Sequence, residues 1–271
     1  MMRKPKIALT IAGTDPTGGA GAMADLKSFH ACGVYGMAAF TSVLAQNSKG
    51  VQHIHNLEVD WLEEQLESVF TDEVPHAMKT GMIPTKEMME VIASYVKNYQ
   101  IPYVIDPVMI AKSGDSLMDD KGKSELQNIL LPLADVVTPN IPEAEEIVGF
   151  KLDSEEKIHQ AGKVFIEDIG SKGVIIKGGH LEGNATDYLF TKDQSYTFEQ
   201  ERYDTKHTHG TGCTFSSVIT AELAKGKTMY EAVKKAKSFI SLAIKYTPEI
   251  GQGRGPVNHF AYQKLKGLDD E

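Results

Sequence analysis

The chain has 271 residues, 41% of them hydrophobic, which is enough to bury one large core. Its 28 basic and 37 acidic residues give a net charge of -9; that field repels a nucleic-acid backbone but leaves room for a local anion site. No stretch approaches the ~20 apolar residues of a membrane span, and Met1 to Ile11 lacks the long apolar run of a secretory signal, so Cys32 and Cys213 are expected as reduced thiols of a cytoplasmic protein.

In chain order, Ile7 to Ile11 reads as a buried strand, followed by the Gly-rich run Gly13 to Gly21. Ala22, Leu26, Phe29 and Gly33 then repeat at helical spacing, and Ala38 to Leu44 reads as one strand. Leu62, Leu66, Val69 and Phe70 predict a helix, His76 to Lys79 a short extended piece, and Met88, Ile92, Tyr95 and Val96 a second helix. Tyr103 to Ile105 and Val136 to Thr138 read as strands. Ile158, Ala161, Phe165 and Ile169 predict a helix leading into the strand Val174 to Lys177. From Asp187 to Glu199 two polar–apolar runs flank a turn, the pattern of an antiparallel hairpin at a sheet edge. Two helices close the chain, one with Phe215, Val218, Ile219 and Leu223 on a face, the other with Val233, Ala236, Ile240 and Ala243. Alternating strands and helices imply an α/β fold with a mostly parallel sheet covered on both faces. No repeat or linker interrupts it, so one domain over 1–271 is expected.

Ligands of such sheets bind beyond the carboxyl ends of the strands, where the unusual residues of this sequence fall. His209-Gly210-Thr211-Gly212-Cys213-Thr214 precedes a helix, whose free amides and dipole favour an anion; the same run also reads as a plain Gly-rich turn. A thiol in that first turn is expected to have a lowered pKa, or else Cys213 is a small buried hydrophobe. Gly13 to Gly21 resembles a phosphate loop without the Gly-Lys-Ser/Thr ending, and Asp25 by default faces solvent. Asp106 and Glu143, each near a strand end, suit Mg²⁺ held through water, although Asn140 and Glu143 also have the spacing of a helix cap. Lys177 either touches a phosphate or is a strand-end charge. His207 and His209 have no partners at metal-ligand spacing.

The ordered set Leu9 to Gly13, Ala20 to Lys27, Val34 to Met37, Ala45-Gln46-Asn47, Lys79-Thr80-Gly81-Met82, Asp106 to Met109, Thr138-Pro139-Asn140, Gly210 to Cys213 and Gly255 to His259 resembles the ribokinase superfamily. Within it the set is most similar to the hydroxymethylpyrimidine/phosphomethylpyrimidine kinases. The resemblance implies a three-layer sandwich with a small antiparallel edge hairpin, ATP and Mg²⁺ as cofactors, and a homodimer. It implies that Gly210, Thr211 and Gly212 form an anion hole with Cys213 as general base. It also implies that Asn140, Glu143, Lys177 and Gly178 serve the nucleotide, Asp106 and Glu143 the metal, and that Gly13, Asp25, Gln46 and Met82 line the substrate pocket. Pyridoxal kinases share the fold and the cysteine. They tend to carry Met where this chain has Gln46 and a second cysteine where it has Ala111, so the pyrimidine is the expected substrate. From another class, Cys213 and His209 would form the nucleophile–base pair of a thiol hydrolase.

Overall fold

The computed structural model describes residues 4–109, 118–178 and 184–264. The chain opens with β1 (Ile7–Ala12), α1 (Gly21–Ala31) and β2 (Tyr35–Phe40). A hairpin of β3 (Ser42–Asn47) and β4 (Gly50–Asn56) leads to α2 (Val59–Asp72) and β5 (Ala77–Thr80). Then come α3 (Lys86–Tyr99), β6 (Tyr103–Ile105), α4 (Asp120–Ile129), β7 (Val136–Val137), α5 (Ile141–Val148) and α6 (Glu155–Lys163). The last part is β8 (Gly173–Lys177), β9 (Ala185–Thr191), β10 (Ser195–Gln200), α7 (Thr211–Ala224) and α8 (Met229–Lys245).

Eight strands form one sheet in the order β10-β9-β8-β7-β6-β5-β1-β2. All neighbours from β2 to β8 run parallel, and β9 and β10 add an antiparallel edge, as expected for Asp187 to Glu199. Strand side chains alternate between two cores. Leu9, Ile11, Met78, Ile105, Val137 and Ile176 face one side, with Leu66 of α2, Ile92 of α3, Leu126 of α4 and Ala161 of α6. Val104, Val136 and Ile175 face the other, against Val218 of α7 and Val233 and Phe239 of α8. Ala8 and Ala77 continue that second face beneath Phe29 of α1. Each fully buried Leu or Ile contributes roughly 1.5–3 kcal/mol, so both faces must be covered for the sheet to persist.

Three readings change. Ala38 to Leu44 is not one strand. The chain leaves the sheet at Thr41, which is buried and whose Oγ1 donates to the Met82 carbonyl at 2.8 Å. β3 then pairs with β4 in a separate two-stranded sheet. The helix read through Ile169 is α-helical only to Lys163; Val164–Ile169 widens into a π-helical turn ending at Gly170, φ 90°. The helices α4 and α5 have apolar faces too short for the periodicity to register.

Candidate active site

Strand order reverses at β1, with β2 on one side and β5 on the other. A crevice opens at such a switch point. Here it is a cavity of about 960 Å³ across the carboxyl ends of five strands, where Gly13, Gly81, Asp106, Asn140 and Lys177 line it. That volume lies at the upper end for ligand pockets and suits two ligands side by side. Gln46, Met82, Glu143 and Gly210 to Cys213 complete the expected lining.

The start of α7 forms one wall. Gly210 is left-handed at φ 76°, and a β-carbon there would overlap the Gly19 carbonyl oxygen. Gly210 supplies no side-chain cap and the Thr211 amide donates to the Thr208 carbonyl at 3.3 Å, which leaves the next amides of the turn, those of Gly212 and Cys213, for a ligand. The Gly13 to Gly21 loop is tied down rather than flexible. Asp15 Oδ1 accepts from the Thr17 amide at 2.9 Å, Oδ2 from the Ala20 amide at 2.8 Å, and His209 Nε2 lies 2.8 Å from Oδ2. Burial works against the Asp15 carboxylate, but the His209 and Thr17 bonds outweigh it and bring its pKa down to about 2. Beyond α8, His259 Nε2 lies 3.0 Å from Thr214 Oγ1, and burial, helped by Lys27, lowers its pKa to about 4.

These two shifts contribute to the acid sensitivity of the fold. A histidine with a depressed folded pKa contributes stability above its unfolded value of 6.5, lost as pH falls toward 4. Asp15 contributes above about 3.8, lost as pH falls through 2. The unfolding free energy from urea titrations should therefore decline between pH 6.5 and 4, by an amount on the order of 3 kcal/mol for His259. A His259→Gln variant should flatten this decline; an unchanged slope would show that His259 does not contribute to it.

Opposite α7, Lys177 Nζ lies 3.4 Å from Asp106 Oδ1, which Thr138 Oγ1 also approaches at 3.3 Å. A β-carbon placed on Gly212 would lie 3.2 Å from Asp106 Oδ2 and 3.4 Å from Lys177 Nζ. The helix start, a cation and a carboxylate thus converge on one point. Burial pulls the Lys177 ammonium down, but Asp106 and Glu143 outweigh it and hold it above its ordinary range. Asn140 and Glu143 form the cap that their spacing suggests: the Asn140 amide donates to Glu143 Oε2 at 2.8 Å and the Glu143 amide to Asn140 Oδ1 at 2.9 Å. Both still line the cavity, so capping and site roles coexist.

Two expected residues do not line it. Gly178 is buried behind Asp187, whose Oδ1 accepts its amide at 3.0 Å. Asp25 is neither solvent-facing nor in the lining. It is wholly buried beneath the floor, where Oδ1 accepts from Lys79 Nζ at 2.8 Å and from Ser217 Oγ at 2.6 Å, and Oδ2 from Thr10 Oγ1 at 2.6 Å. Lys79 itself does line the cavity, and Asp25 with Cys213 and Asp106 keeps its ammonium charged against the effect of burial. The Lys237–Asp187 pair, 2.7 Å, forms a second buried ionic contact at the wall.

The lowered pKa expected of Cys213 is overturned. Burial pushes the half-buried thiol up to about 12; Lys79 opposes the rise, Asp25 and Asp106 add to it, and a hydrogen bond from Gly21 opposes it weakly. The helix start alone does not compensate for desolvation. His209, bonded to Asp15, makes no hydrogen bond to Cys213 among the described residues, so the hydrolase pair is not assembled. Neither cysteine is bridged. Among the described residues no group of three or more His, Cys, Asp or Glu could hold a metal.

The β3–β4 hairpin overhangs the far end. Its register slips between Ala45 and Gln46, a bulge that re-aims a side chain, and Gln46 reaches the lining. The hairpin turn is fastened down by the Gly253 amide to Ser48 Oγ at 3.0 Å and the Arg254 amide to the Ser48 carbonyl at 2.8 Å. The segment Ile110 to Lys112, with Ala111, lies outside the described residues.

A helix start facing a lysine across a glycine holds a transferring phosphate better than it makes a covalent intermediate. Fold and site together define a small-molecule kinase of the ribokinase-like class. The chain belongs to the phosphomethylpyrimidine kinase family, whose family model matches residues 15–258. It is 71% identical to a hydroxymethylpyrimidine/phosphomethylpyrimidine kinase of Staphylococcus aureus (strain MRSA252), over 100% of this chain and 99% of the relative. It is 42% identical to the thiamine biosynthesis bifunctional protein ThiED of Geobacter sulfurreducens, over 93% of this chain and 51% of that one. Among solved structures it superposes on the pyridoxal kinase of Staphylococcus aureus in complex with AMP-PCP with a TM-score of 0.90 at 36% identity, covering 97% of this chain and 96% of that one. No described helix is long and apolar enough to cross a membrane.

Proposed function

We propose that the protein transfers the γ-phosphoryl group of ATP to hydroxymethylpyrimidine and then to its monophosphate, in thiamine biosynthesis. The observation that carries this reading is the convergence of the α7 amides, Lys177 and Asp106 on one point. A phosphoryl group seated there has donors on two sides and room for in-line attack from the Gly13, Gln46 and Met82 end. The base of the nucleotide fits the apolar arm formed by Phe215, Ile240 and Ile244. Gln46 supports a pyrimidine over pyridoxal, because its amide offers both a donor and an acceptor to ring nitrogens and an amino group.

Asp106 and Glu143 are hard oxygen donors, and two carboxylates without a closed protein cage suit an ion held mostly by water and phosphate. Bound there, Mg²⁺ supplies neutralisation of charge across the phosphates. Lys177 adds a fixed cation, and the Gly210 to Gly212 amides orient the moving group. Cys213 takes the proton of the substrate alcohol. The unbridged thiols suit a reducing compartment; the cytoplasm, one domain over 1–271 and a homodimer complete the proposal on the strength of the resemblance.

One assay of ADP release tests it. Both pyrimidine substrates should turn over with higher kcat/KM than pyridoxal, and excess chelator should abolish the signal. Equal or better efficiency with pyridoxal would move the assignment to the vitamin kinases of that name, and chelator-resistant activity would remove the metal.

A further inference from the structure

Cys213 and Ser217 lie four residues apart on α7, so their side chains share a face of the helix. Ser217 Oγ donates to Asp25 Oδ1 at 2.6 Å, and Lys79 Nζ donates to the same oxygen at 2.8 Å. Thr10 Oγ1 donates to Oδ2 at 2.6 Å, so α7, β1 and β5 all hold the carboxylate that α1 carries. Lys79, Asp25, Ser217 and Thr10 are completely buried, and Lys79 reaches the cavity floor that Cys213 also lines. A buried ion pair contributes little net stability against apolar replacements, and here its cation shares the cavity floor with the thiol and acts on it through space.

We propose that Lys79, held by Asp25, is a positioning residue for Cys213: it supplies the countercharge that lets sulfur take the proton of an alcohol, and so serves the first phosphorylation and not the second. The inference rests on the two-substrate reading above. With the alcohol, the O–H bond breaks and a bond from that oxygen to the γ-phosphorus forms. The γ-phosphorus–bridging oxygen bond breaks, its electron pair leaves with ADP, and the proton passes to the Cys213 thiolate. With the monophosphate, the attacking atom is a phosphate oxygen that carries no proton above a pH of about 6. A P–O–P link forms, the same bond to ADP breaks, and there is no proton for sulfur to take. The ionisable groups around the thiol are Lys79 from β5, Asp25 from α1 and Asp106 beyond β6, with the Gly21 amide bonded to it. Of these ionisable groups, only Lys79 favours the thiolate.

The test is Lys79→Met assayed with both pyrimidine substrates across pH. The double variant Lys79→Met, Asp25→Asn is carried beside it, because it leaves no unpaired carboxylate in the floor. Wild-type turnover of both substrates is measured first. Removal of one close countercharge should cut alcohol turnover about 10-fold or more, shift its rise with pH upward, and raise the ratio of monophosphate to alcohol turnover by a similar factor. Equal loss on both substrates, or no change in the ratio, would overturn the inference and leave Lys79 a structural partner of Asp25. A wild-type protein that turns over neither pyrimidine would instead overturn the proposed function, and the inference with it.

Discussion

Cys213→Ala should lower turnover of hydroxymethylpyrimidine by about 100-fold or more, the scale on which general bases act. Cys213→Asp should retain part of the rate, since a carboxylate at that point can still accept a proton. The expectation has a pH signature. With the thiol pushed up to about 12, the thiolate fraction of the free protein grows tenfold with each unit of pH below that value. The kcat/KM for the alcohol should then climb through pH 7 to 9 without levelling. A plateau near pH 7 in the wild type would show a different base, and an alanine variant of full activity would show that none is needed. Because the sulfur carries a proton rather than a phosphoryl group, mass spectrometry during turnover should find no adduct on Cys213.

Gly210→Ala and Gly212→Ala should fail in opposite ways. At Gly210 an added β-carbon meets a left-handed backbone at φ 76° and the Gly19 carbonyl, neither of which yields cheaply. A loss of roughly 3 kcal/mol or more follows, with a large fall in melting temperature. Gly212 lies inside α7, and its added methyl would meet only the ends of Asp106 and Lys177, at 3.2 and 3.4 Å. Gly212→Ala should fold nearly as well as wild type yet lose about 100-fold in rate, as when a preorganised anion site is blocked. Thermal melts and initial rates on the two variants decide the matter. Full activity of Gly212→Ala would remove the phosphoryl group from that point.

Much of this is legible in the sequence. The apolar runs at Ile7 and Val174 are strands buried on both faces, and strand ends carry Gly13, Asp106, Asn140 and Lys177. What escaped had a physical reason. β4 is largely exposed and has no apolar face to alternate, so the hairpin bearing Gln46 was invisible to periodicity. Asp25 falls at helical spacing with Ala22 and Phe29, and Lys237 with Val233 and Ile240, both on buried faces. A charge on an apolar stripe was the available signal that each has a buried partner. The Cys213 thiol departs from its sequence expectation because helix amides are visible in sequence, whereas the degree of desolvation is not.

The second face of the sheet has a consequence for synthesis. Val104, Val136 and Ile175 are made early, but the helices that cover them, α7 and α8, begin only at Thr211 and Met229. On a ribosome adding roughly 5–20 residues per second, that apolar surface stays bare for on the order of seconds after β8 emerges. The nascent chain is then half a sandwich with an exposed apolar side, a state prone to aggregation until the helices cover it. The latch from Gly253 and Arg254 onto Ser48 is made later still, so the pocket gains its roof only after both covering helices have been synthesised.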